Sequence, residues 1–169
     1  YFFLDYLHFK LDGFTREKEA YDDFKMLFIN KEYSNEKMLS ELLHYAKQYK
    51  IFLKGDVNLG NEVNSALDGL RRLKQSTVYL FLFSVFDDYE DKVIGEEELT
   101  KVLRLMLNYS IRRLVCEVSS NSLRGLYKTL YKRVFGKQEN KMHYYDAVVS
   151  FLSNLTSRDA IPSDEIFTI

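Results

Sequence analysis

The chain contains no Trp, one Cys, one Pro and only 7 Gly among 169 residues. The single thiol, Cys116, excludes an internal disulfide and with it the stapled frameworks of small secreted domains. A reducing, cytoplasmic setting is the expectation. So few breakers exclude a sandwich or barrel, which needs a turn signal every ~8–12 residues. Long apolar runs are missing too. The longest, residues 78–86 with Ser84 inside it, falls well short of the ~20 residues that span a bilayer, and no signal-peptide pattern opens the chain. The expectation is a soluble domain without a membrane partner.

Catalytic patterns are equally scarce. His8, His44 and His143 lie far apart, and neither HExxH nor CxxC occurs, so no metal and no cofactor are expected. No set of acid, base and nucleophile can be assembled from spacing. Cys116 could act as a nucleophile if His143 came near it, but a packed thiol is the simpler reading. The chain itself is therefore read as noncatalytic.

What the chain has is aromatic and helical. With 13 Tyr and 13 Phe, rings set among Leu and Val must fill the core. Residues 1–11 place Phe3, Leu4, Leu7 and Leu11 on one stripe, with Gly13 after them. Thr15 is expected to cap a second helix carrying Ala20, Tyr21, Phe24, Leu27 and Phe28. Ser34 opens a third that runs through Lys54, with Met38, Leu42, Tyr45, Tyr49 and Phe52 inward and Gly55 as its stop. A fourth, near residues 62–74, presents Val63, Ala66, Leu67, Leu70 and Leu73, and Gly69 within it marks a close helix contact.

Residues 77–89 are apolar nearly all round. They read as a buried helix, because no other segment alternates with period two and a lone strand cannot complete its hydrogen bonds. After Gly95, the acids Glu96, Glu97 and Glu98 suit the first turn of a long helix through Val115. Asn121 or Ser120 should cap a seventh helix ending at Phe135, and Asn140 an eighth reaching about Thr156. Pro162 precedes a ninth that starts at Ser163. The fold class is all-α, a compact bundle of about eight helices in one domain, residues 1–169. A chain that opens on Tyr1 and closes on a helix start is expected to be a fragment of a longer protein.

Charge is unevenly placed although its net value is only -1. Residues 101–141 hold ten basic and two acidic groups, a balance of +8, whereas residues 61–100 hold four basic and nine acidic, a balance of -5. Arg124, Lys128 and Lys132 recur every four residues and share a helix face, with Tyr127 and Tyr131 one step round. Such a row can track a nucleic-acid backbone. It can equally be a solvated face that also meets the acidic segment. Candidate contacts to DNA or to a protein partner are Arg112, Arg113, Asn121, Arg124, Lys128, Lys132 and Arg133.

Residues 110–123, with Arg112-Arg113, Cys116 and Ser120-Asn121-Ser122-Leu123, resemble the Arg-Arg, Cys, Thr/Ser-Asn-x-Leu pattern in the helical region of GmrSD-type modification-dependent restriction endonucleases. Phe2-Phe3-Leu4-Asp5-Tyr6-Leu7 and Tyr21-Asp22-Asp23-Phe24 look like the start of that region. Ile161-Pro162-Ser163-Asp164-Glu165-Ile166-Phe167 is similar to its end. The chain departs from the pattern with Glu117 where the family commonly has Gly, and with Arg124 where Asn is usual. The resemblance implies a bacterial phage-defence protein with a ParB-like, nucleotide-handling domain and an HNH-type nuclease domain elsewhere in the polypeptide. The parent would then be a nucleotide-dependent DNA endonuclease, and the partners of this chain would be those domains, DNA, or a second copy of itself.

Overall fold

The computed structural model describes residues 1–30 and 32–167. Among them there is no strand, and nine helices follow one another: α1 (Phe2–Lys10), α2 (Ala20–Asn30), α3 (Asn35–Lys54), α4 (Asn61–Arg72), α5 (Tyr79–Glu90), α6 (Glu96–Val115), α7 (Leu123–Phe135), α8 (Tyr144–Ser153) and the single turn α9 (Asp164–Phe167). None of the described helices is long and apolar enough to cross a membrane.

The apolar segment expected to be a buried helix is the axis of the bundle. Eight of the 12 residues of α5 are buried, and α1, α3, α6 and α7 all pack on it. Each buried Phe contributes about 1.5–3 kcal/mol of transfer free energy, so Phe81, Phe83 and Phe86 weigh heavily. Phe52 of α3 meets Phe86 edge-on at 4.9 Å and Phe83 at 5.5 Å, and Tyr45 meets Phe83 edge-on at 5.4 Å. Aromatic rings fill the volume that tryptophan or branched aliphatics would otherwise take.

Gly69 holds α4 against α6. A methyl group there would lie 2.7 Å from Leu107 Cδ2, so the close contact expected of this glycine is present. At the start of α3, Ser34 Oγ accepts from the Lys37 N–H at 3.2 Å, and Gly55 ends the helix at φ 75°.

Three expected caps are corrected. Thr15 does not cap α2; a 3-10 turn, Glu17–Glu19, comes first, and Thr15 is buried with its carbonyl accepting from His8 Nε2 at 2.9 Å. Neither Asn121 nor Ser120 caps α7 with its side chain: Ser122 holds the N-cap position, and its hydroxyl is turned to Asp159. Asn140 does not begin the eighth helix. It lies in a 3-10 segment, Gln138–His143, where its amide donates to the Val134 carbonyl at 2.5 Å and so finishes α7. The Thr15 hydroxyl is buried without a hydrogen-bond partner, and the Asn140 amide serves the end of the preceding helix.

Candidate nucleic-acid interface

The basic segment is largely consumed inside the molecule. Arg124, at the start of α7, reaches α1, where it pairs with Asp5 at 3.2 Å and donates to His8 Nδ1 at 2.8 Å. Asp5 is 6 % exposed and also accepts from Tyr49 at 3.1 Å, so a buried carboxylate receives two donors. One turn on, the Lys128 ammonium donates to the carbonyls of His8 and Leu11, and to that of Gly13 at 2.9 Å. These include orphan carbonyls at the end of α1, which a cation stabilises through hydrogen bonding and the helix dipole together. Burial pushes the Lys128 ammonium below the usual lysine range. Two of the three cations in that row, Arg124 and Lys128, are thus turned onto α1 and the segment after it.

The other end of α7 shows the same economy. Lys141 pairs with Asp88 at 2.7 Å, and Asp88 also accepts from Tyr131 at 2.7 Å and Tyr144 at 2.8 Å. Asp88 belongs to the acidic exit of α5, so one contact expected between the basic and acidic segments is made here. Arg104 to Glu62 is a second. Lys101 pairs within its own helix with Glu97 at 2.7 Å.

Arg112 and Arg113 clamp the last described segment. Arg113, 2 % exposed, donates to the carbonyls of Arg158 at 2.7 Å and Ser119 at 2.5 Å. Arg112 donates to the Pro162 carbonyl at 3.1 Å, pairs with Asp164 at 2.6 Å and lies 4.8 Å from the ring centroid of Phe167. Tyr109 donates to the Asp159 carbonyl at 2.6 Å, and the Cys116 thiol faces the Ile166 carbonyl at 3.7 Å. Burial pushes the Tyr109 hydroxyl up to about 12. The two arginines therefore satisfy carbonyls of a neighbouring segment, beyond the end of their own helix.

Glu117 occupies the position where the resembled family carries glycine, and its φ is 54°. Val118 N–H bonds to the Arg113 carbonyl at 2.8 Å and Glu117 N–H to that of Leu114 at 3.1 Å. That pair of bonds closes α6 with a left-handed residue, a geometry glycine adopts without strain.

Of the seven candidate contact residues, Arg112, Arg113, Arg124 and Lys128 are thus engaged intramolecularly. Lys132, Arg133 and Asn121 are exposed. Arg133 rests on Phe151, 4.6 Å from the ring centroid. Asn121 contributes a backbone N–H to Ser119 Oγ at 3.3 Å. Arg124 and Arg133 line a groove of about 460 Å3 together with Arg158, Asn121, Phe14 and Asp159. Arg158 was not singled out from sequence, because an isolated arginine in a Ser-Arg-Asp turn gives no periodic signal.

His8 is used against Thr15 and Arg124, and His44 joins Asp87 at 2.7 Å in a seam with Tyr45 and Gln48 between α3 and α5. No group of three metal-ligating side chains is present among the described residues. Set against known proteins, the chain matches no family model, no curated protein and no solved structure.

Proposed function

We propose that the chain is a noncatalytic helical module of a GmrSD-like DNA restriction or phage-defence protein, arranging neighbouring nuclease and nucleotide-binding domains and meeting DNA over a small patch. The observation that supports this reading is the clamp. Two pieces of the resemblance, residues 110–123 and 161–167, lie about fifty positions apart, and Arg112 and Cys116 bond one to the other. A pattern whose separate parts serve one junction is what a shared helical region would retain. The left-handed Glu117 at the family's glycine position agrees with it. The test is made in the whole gene product: modified phage should plate poorly on cells carrying it, and an Arg113→Met variant should restore plating. Equal plating with and without the gene removes the restriction reading.

A second reading, a protein-binding scaffold without nucleic-acid contact, is favoured by a different observation. Leu39, Leu43 and Leu53 on α3, with Tyr21 and Ile29 on α2, are about half exposed or more. A duplex-DNA titration at two salt concentrations separates the two. A duplex that meets the patch of Lys132, Arg133, Lys137 and Arg158 should show, at ~0.9 per phosphate, a salt slope of about -3.6. Undetectable duplex binding at low salt leaves the scaffold.

A further inference from the structure

The groove beside the start of α7 combines three guanidinium groups with one half-open aromatic ring. Arg124, Arg133 and Arg158 line it, Asn121 and Phe14 lie on its wall, and Asp159 supplies its one carboxylate. Asp159 Oδ1 already accepts from the Ser122 hydroxyl. Arg124 is offset by Asp5 and Asp159 keeps its charge, so Arg133 and Arg158 leave the groove with a modest positive balance. Two of the cations are held in place: Arg124 by Asp5 and His8, Arg133 by the Phe151 ring. Held cations lose little freedom when an anion arrives.

Two further features narrow the ligand. Helix α7, 13 residues long, begins in the groove with no side-chain cap and no acid in its first turn. Asp159, bonded to the N-cap residue Ser122, is the carboxylate beside that end, and the backbone N–H groups of the first turn add to what Arg133 and Arg158 attract. Phe14 is 53 % exposed, with His8 edge-on at 5.2 Å and the Lys128 ammonium 5.0 Å from its centroid. An open ring on the wall of a cationic groove is the arrangement on which an unpaired base stacks. A simple inorganic anion would leave the ring unused.

We propose that this groove binds one nucleotide unit, its phosphate against Arg133, Arg158 and the start of α7, and its base against Phe14. The unit can belong to a single strand or be a free mononucleotide, since both present the same phosphate and ring. The inference rests on the nucleic-acid side of the reading above only for its class of ligand, and it stands if duplex binding or restriction fails.

The experiment is fluorescence anisotropy of the whole gene product with a labelled thymidine oligonucleotide, a duplex of equal length and a labelled mononucleotide, at about 50 and about 200 mM salt. The variants are Arg133→Ala with Arg158→Ala, Phe14→Ala, and Lys47→Ala with Lys50→Ala, which line other grooves. Melting curves establish that each variant is folded. Single-strand binding should weaken about tenfold in Phe14→Ala, and its salt slope should shrink by about 0.7 for each groove arginine removed. The lysine pair should bind like the parent. Mononucleotide binding with the same dependence supports the proposal with a free nucleotide as the source. Binding confined to the duplex, binding indifferent to Phe14→Ala or to the arginine pair, or no binding in any arm at the lower salt overturns it.

Discussion

Helices α7 and α3 differ in opposite ways from what their sequences advertise. α7 carries four cations along its length, yet Arg124 and Lys128 are turned onto α1 and only Lys132 and Arg133 remain exposed. α3 looks like an ordinary amphipathic helix, yet it buries Tyr45, Gln48, Tyr49 and Phe52 and leaves Leu39, Leu43 and Leu53 in the open. Density of charge along a sequence therefore does not measure charge at a surface. A cation that finds a carboxylate or a helix end within reach is withdrawn from solvent, whereas an aliphatic side chain on the wrong face has nowhere to go.

The comparison can be broken most severely from the tyrosines, which both helices send inward. Burial pushes the Tyr131 hydroxyl of α7 up to about 12, and burial also raises Tyr45 and Tyr49 of α3 above the ordinary range. A folded pKa above the unfolded one means the folded state holds more protons between the two values. That stability is complete below the unfolded value, near pH 10, and is lost as pH rises through the folded one. Each such tyrosine should remove about 1.4 kcal/mol per pH unit in that window. Cooperative loss of helix signal together with the rise of tyrosinate absorbance checks it; tyrosinate appearing first, in a still folded chain, would contradict it.

Asp88→Ala comes next. It leaves the Lys141 ammonium and the hydroxyls of Tyr131 and Tyr144 without their shared acceptor, and the expected cost is about 3–5 kcal/mol in denaturant unfolding. Lys128→Met sharpens the contrast directly. If the ammonium serves the end of α1, the variant should lose about 1–2 kcal/mol of stability, read in denaturant unfolding. Glu117→Gly relieves the left-handed residue after α6 and should gain about 1 kcal/mol, read as a higher melting temperature. Smallest is Asn121→Ala, which should stay within ~0.5 kcal/mol because its side chain caps nothing. A loss near 1 kcal/mol would show that it caps α7 after all.

The legible part of this fold was its helices. The spans of α3 and α6, the buried character of α5 and the Gly69 contact all follow from periodicity, from glycine and from acids at a helix start. Several helix ends were less legible, because the left-handed residues after α4, α5 and α6 are Lys74, Lys92 and Glu117 rather than glycine. Bonds such as Gln75 N–H to Leu70 O and Val93 N–H to Asp88 O close those ends, and no residue type announces them. Asp5 and His8 were missed as buried groups for a related reason. Their partners, Tyr49 and Arg124, lie 44 and 119 positions away.

By itself the sequence determined the all-helical class, the aromatic core and the concentration of cations in residues 101–141, because these depend on spacing and composition along one strand of chain. Tertiary structure alone decided which cations remain available. Desolvating a guanidinium or an ammonium is tolerable only beside a carboxylate or a set of carbonyls, and those partners come from α1, α5 and the segment after α8. The same packing brings Arg158 and Phe14, unremarkable in sequence, into a groove with Arg133.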